Sequence, residues 1–280
     1  MTARVPIALG WLAAFVAVGV SVIVLLAWLV PVADDEWWLA RGAAIQAAGF
    51  GVATWVVGRK LNRRSWAELG WRGAGTQPGG GAFARGVGLG LAMATLAVAL
   101  SVAAGGAHVR VTALQGANVV AAGPVLLGLL LAALSEELVF RGYPLRRLSE
   151  AMGPPTAMLL LAAGFASLHL GNPNVTPLGV ANVALAGLWL SLAFFSPGGM
   201  ALAWGAHFGW NAALGELFHT PVSGYSLGAP LVDYEPGAHA WLDGGRFGPE
   251  GGMVATIALV AGGAALLGRR LAQPRQWVTR

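Results

Sequence analysis

The chain has 280 residues, 56% hydrophobic and only 10% charged, with a mean hydropathy of +0.67. A soluble domain carries roughly 25% charged residues, so this composition excludes an ordinary water-soluble globule. The lack of cysteine excludes disulfides, thiol catalysis and cysteine-bound metals, and the net charge of +5 sits in short basic clusters beside apolar runs, which fits membrane topology rather than nucleic-acid binding.

A spanning helix needs about 20 mostly apolar residues. Val5 to Ala33 has no charge; it is too long for a signal-peptide core and gives the first helix. Trp37 to Gly58 gives the second, with Arg41 near its start. A basic and then Gly-rich loop follows, and a third helix is expected from about Phe83 to Ala107. The fourth begins near Ala117 or Pro124 and is read as running on to the turn at Gly153, kinked at Pro144. From Ala151 to Gly215 there is no Asp, Glu, Lys or Arg, and the Pro/Gly clusters at 171–174 and 196–199 divide this stretch. Helices are therefore expected over about 155–170, 177–195 and 199–218. A polar, Gly-rich loop at 219–249 precedes a last helix from about Gly251 to Gly268. The expectation is an all-α polytopic bundle of about eight transmembrane helices, one membrane-embedded unit over residues 1–280.

With the N-terminus inside, 14 of the 17 basic residues fall on inside segments: Arg4, the cluster from Arg59 to Arg85 that includes Arg72, Arg141 with Arg146 and Arg147, and Arg269, Arg270, Arg275 and Arg280. That asymmetry supports the span count and places both termini in the cytoplasm.

Ionisable groups within such helices cost roughly 2.5–3.5 kcal/mol each, so each needs a reason. Glu137 and Arg141 stand four apart with the acid first, the favourable order for a salt bridge on one helix face. Glu136 points about 100° away and has no local partner, which suits a general acid or base. Glu136 lies 17 residues before Gly153 and His169 lies 15 after Pro154, so in an antiparallel hairpin the two meet at nearly the same height. Phe165 shares a face with His169 and reads as packing. His207 and Asn211 share another face, two donors placed for a developing oxyanion. Taken singly, His169 reads as a satisfied core residue and the His207–Asn211 pair as an interhelical clamp; the combination with Glu136 favours chemistry.

"EELVFRG", "FASLH" and "HFGWN" follow the patterns EExxxR, FxxxH and HxxxN. In that order, in a polytopic chain, they resemble the CPBP family of intramembrane proteases, also called the Abi or CAAX-protease-like family. The resemblance implies a peptide hydrolase with its motif core within 117–218, in which Glu136 and His169 activate a water. It assigns His207 and Asn211 to the oxyanion hole, and Glu137 and Arg141 to supporting the site. A metal-free mechanism is favoured, since the chain has no HExxH motif; a divalent metal such as zinc would take Glu136, His169 and His207. The implied partner is a membrane-embedded or lipid-anchored peptide or protein in the bilayer, with no nucleic acid. The Ala/Gly/Arg-rich composition points to a bacterial cytoplasmic membrane.

Two other classes compete. Buried Glu and His also build proton relays in transporters, although no inverted repeat is visible. A non-catalytic scaffold or bacteriocin-immunity protein would keep the fold without needing Glu136. A serine protease lacks a GxSxG context, and Asp34, Asp35, Asp233 and Asp243, all in expected loops, leave no intramembrane aspartyl pair. His219, Asp233, Glu235, His239, Asp243 and Glu250 in and beside the 219–249 loop read as solvated side chains.

Overall fold

A computed structural model describes residues 4–31, 35–71, 79–111, 116–227 and 232–272. Asp34, Arg72, Arg275 and Arg280 lie outside these residues, as do the side chains of Arg269 and Arg270. The architecture is helical, with one small sheet. Helix α1 (Arg4–Leu29) is apolar all round, and the 18-residue stretch that defines it as a span is only 11% buried, as expected of a helix facing lipid. Helix α2 (Trp38–Ala53) passes into a π-helical extension, Thr54–Leu61, that carries the first basic cluster outwards. Helix α3 (Gly79–Ala103) starts earlier than the sequence suggests.

The long fourth helix is instead two. Helix α4 (Gly116–Phe140) stops at Arg141, and α5 (Tyr143–Met152) restarts after Gly142. Pro144 is the cause: it lacks an N–H and is tolerated only in a first turn. The amides of Arg141 and Gly142 both donate to the Glu137 carbonyl, at 2.8 and 3.0 Å, closing the end of α4. Pro144 therefore opens a new helix rather than kinking an old one, and a corner forms directly behind the acid pair.

Helix α6 (Pro154–Leu168) opens with two prolines, and α7 (Pro177–Phe194) is capped by the Thr176 hydroxyl, which accepts from the Gly179 amide at 3.0 Å. Helix α8 (Gly199–Ala212) passes into a second π-helical turn, Ala213–Leu217. The expected loop at 219–249 holds a strand and a short helix. Strand β1 (Ala107–Val111) pairs antiparallel with β2 (Val232–Pro236), and β2 is followed by α9 (Ala240–Asp243). Helix α10 (Met253–Ala272) closes the bundle.

Among the described residues four stretches are long and apolar enough to cross a membrane: Arg4–Leu29, Gly80–Ala103, Ala122–Met152 and Pro177–Phe194. Pro154–Leu168 and Met253–Gly268 are shorter apolar helices. Eight full spans are therefore not reproduced among the described residues. An apolar run cut short by Pro, Gly or a π turn stays oily without reaching the length of about 20 residues that a span needs.

The packing that fixes the site is the seam between α3 and α8. A Cβ on Gly86 or Gly90 would lie 2.4 Å from the Leu202 carbonyl oxygen or 2.1 Å from that of Ala206. On the other side, a Cβ on Gly205 or Gly209 would lie 2.2 Å from the Phe83 oxygen or 2.3 Å from that of Val87. Two small-xxx-small pairs thus let the backbones touch, the device that substitutes for a hydrophobic driving force in lipid. His207 is two residues from both Gly205 and Gly209 and projects from the opposite side of α8, towards α4.

Candidate active site

Glu136 and Glu137 are neighbours whose side chains diverge by about 100°. Glu137 turns inward and is fully buried. Its Oε1 accepts from Arg141 Nη1 at 3.0 Å and from His207 Nδ1 at 2.9 Å. Arg141, 1% exposed, also donates through Nη2 to the Gly187 carbonyl of α7 at 3.2 Å, and its guanidinium carbon lies 4.6 Å from the centre of the Phe165 ring. The salt bridge read from the four-residue spacing therefore exists, and it ties α4, α7 and α8 together. Removing one partner of such a buried pair costs far more than the pair is worth.

Glu136 turns outward and keeps a third of its side chain exposed. Its Oε2 is shielded yet makes no hydrogen bond, and His207 Nε2 stands 3.5 Å away. The two nitrogens of His207 thus face the two carboxylates, one each. Glu136, Phe165, His169, His207 and Asn211 all line one cavity of about 580 Å³.

His169 is the residue that ends α6. Its Nδ1 lies 2.8 Å from the Phe165 carbonyl oxygen. A carbonyl can only accept, so Nδ1 carries the hydrogen and a neutral ring keeps the lone pair on Nε2. The Phe165 ring, 3% exposed, sits 4.7 Å from the His169 ring and 6.0 Å from the His207 ring. Phe165 is a spacer between the imidazoles as well as packing. Asn211 follows His207 by one turn of α8 and faces the same cavity.

The structure brings Glu136, His169, His207 and Asn211 together around one space, with Glu137 and Arg141 behind it. Glu136 and His169 both line this cavity, but the hairpin arm carrying Glu136 is broken at 141–142, so the continuous antiparallel hairpin expected between them does not form. The ion pair at Glu136 is with His207, a contact that helical spacing within one segment does not reveal. The candidate metal set shares the cavity, yet among the described residues no three His, Cys, Asp or Glu groups gather as a metal cage. The residues present therefore do not fit a resident three-ligand ion.

Several lining residues escaped the sequence reading. Helix α2 contributes Trp38, Leu39, Ala43 and Gln46, and the segment after α8 contributes Val222, Ser223, Tyr225 and Glu250. Glu250 is half-buried and bonded: its Oε1 accepts from Trp210 Nε1 at 2.9 Å and its Oε2 from the Ser223 hydroxyl at 2.8 Å. Trp210 lies inside the HFGWN stretch, but nothing local ties it to position 250. His219 pairs with Asp233 at 3.2 Å and Arg110 with Glu235 at 3.4 Å, both away from the cavity.

The family model described as Type II CAAX prenyl endopeptidase Rce1-like matches residues 118–213, roughly a third of the chain. No curated protein and no solved structure matches the chain.

Proposed function

We propose, from the premise that residues 118–213 are a CAAX-protease-family core, that this integral membrane protein hydrolyses a peptide bond of a membrane-associated peptide or protein through Glu136, His169, His207 and Asn211. The observation that carries the proposal is the shared cavity: a carboxylate with one oxygen free of hydrogen bonds, a tautomer-fixed imidazole and two further polar groups face one space.

In this reading Glu136 takes a proton from a water that attacks the scissile carbonyl, and His169 Nε2 orients that water. His207, held between two carboxylates as an imidazolium with a hydrogen on each nitrogen, donates through Nε2, and the Asn211 amide donates beside it, to the oxygen on which charge develops. Glu136 then returns the proton to the leaving nitrogen as the C–N bond breaks, so one water is consumed and no other reagent is needed. General acid–base transfer of this kind contributes roughly 10²–10⁴ in rate, and each oxyanion donor about 10²–10³. Glu137 accepts from His207 Nδ1 and so aims Nε2 at the cavity, while Arg141 balances the Glu137 charge.

The positive-inside count places both termini in the cytoplasm as part of the same proposal. The test is cleavage of a fluorogenic peptide library by purified protein, wild type beside Glu136→Ala and His169→Ala, with and without a chelator. Both variants should lose cleavage by orders of magnitude while folded, and the chelator should leave the wild-type rate unchanged. A fully active Glu136→Ala sinks the proposal. Substrate uptake into proteoliposomes without cleavage would instead favour a transporter.

A further inference from the structure

All four proposed catalytic residues lie within the matched segment 118–213, but two walls of their cavity do not. One of these is a strap after α8 whose residues Val222, Ser223, Tyr225 and Leu227 line the cavity. Val222 and Tyr225 bridge each other to close a tight turn. Ser223, at the tip, has φ +48°, in the left-handed region that is disfavoured for a non-glycine residue. Such a conformation persists only where its surroundings enforce it.

Glu250 enforces it. Its Oε2 accepts from both the amide and the hydroxyl of Ser223, while its Oε1 accepts from the Trp210 indole. The Ser223 carbonyl is taken by Asn172 Nδ2 at 2.9 Å, just beyond α6 and His169. Gly224 donates to the Phe247 carbonyl at 2.9 Å and lies so close to Pro173 that a Cβ would come within 2.0 Å of its oxygen. The Glu250 carbonyl accepts from Asn182 Nδ2 of α7 at 2.8 Å, and Asn182 Oδ1 accepts from Thr256 of α10 at 2.6 Å. The carboxylate therefore joins the strap to α8 at the residue just before Asn211, and its own position is braced by α7 and α10.

We infer that the strap at 221–227 is the substrate-selecting roof of the cavity and that Glu250 is its latch, a positioning residue that acts through Ser223 and Trp210. The inference rests on the proteolytic reading for its substrate. The strap's Val222, Tyr225 and Leu227, with Leu39 and Ala43 of α2, make the space beside the polar groups apolar. The roof therefore selects a peptide with an aliphatic residue beside the scissile bond over one with an acidic residue there.

The experiment compares wild type, Glu250→Gln, Trp210→Phe and Glu136→Gln in full-length protein. Two fluorogenic peptides carry leucine or glutamate next to the scissile bond, and amide hydrogen exchange is followed over 222–225. Glu250→Gln puts an amide N–H₂ opposite the Ser223 donors or the indole, and Trp210→Phe removes one latch bond while keeping an aromatic ring. Both should raise KM for the leucine peptide several-fold with kcat nearly retained. Both should cut the leucine-over-glutamate preference about tenfold, the scale on which an apolar pocket discriminates, and speed exchange at 222–225. Should Glu250→Gln fail to fold, Trp210→Phe carries the same expectation. Unaltered exchange, unaltered preference or a loss confined to kcat overturns the latch. An active Glu136→Gln would remove the proteolytic reading, and the exchange data would still decide the latch.

Discussion

Glu136 and Glu137 are adjacent in the chain and opposite in circumstance. Glu137 is fully buried and receives hydrogens from Arg141 and His207. Glu136 faces the cavity, a third exposed, and accepts no hydrogen bond at its Oε2, which stands 3.5 Å from His207 Nε2. The difference comes from one step of helix rotation plus the corner after α4. It separates the site into an anchored half, which holds three helices in place, and an open half, which is free to react. His207 belongs to both, with one nitrogen on each side.

The comparison can be broken most severely at His207. His207→Ala should lower the cleavage rate by about 10³ or more, since it removes an oxyanion donor and a partner of the buried Glu137, and it should also lower the unfolding midpoint. Arg141→Met comes next. It leaves Glu137 as a buried charge without its cation and should cost about 3–5 kcal/mol of stability in a denaturant or thermal titration in detergent. Asn211→Ala touches only the open half and should reduce kcat about 10²-fold with the unfolding midpoint unchanged. The smallest effect is expected at the α3–α8 seam: Gly90→Val forces the backbones apart and should cost about 1–3 kcal/mol, with activity falling only as His207 shifts from α4.

The parts of the site that repeat along one helix were legible in the sequence. Glu137 with Arg141, Phe165 with His169, and His207 with Asn211 each stand four apart, and helical geometry puts each pair on one face. The ordering of the three segments carried the family resemblance, which the match at residues 118–213 supports. Contacts between helices were not legible. That His207 spans both carboxylates depends on Gly205 and Gly209 pressing the other side of α8 against α3, a fact about packing and not about spacing. The Glu250 network joins positions 182, 210, 223 and 250, which no periodicity relates. The break between α4 and α5 was visible as Pro144 but read as a kink, because a proline alone does not tell a bent helix from the first turn of a new one. Strands β1 and β2 were missed because an isolated five-residue strand carries little signal until its distant partner is known.

The claim on which the reading depends is that position 136 faces positions 169 and 207 across one cavity. A chain without cysteine allows this to be measured directly in membranes. Cysteine pairs at 136 and 207, and at 136 and 169, are treated with a short bifunctional thiol reagent beside a pair at 136 and 159, where Leu159 is 60% exposed on α6. Cross-linking of the first two pairs and not the third, read from the intact mass, is the expected result. Cross-linking of 136 to 159 alone, or of none while each single cysteine reacts, would contradict the shared cavity and the hydrolysis built on it.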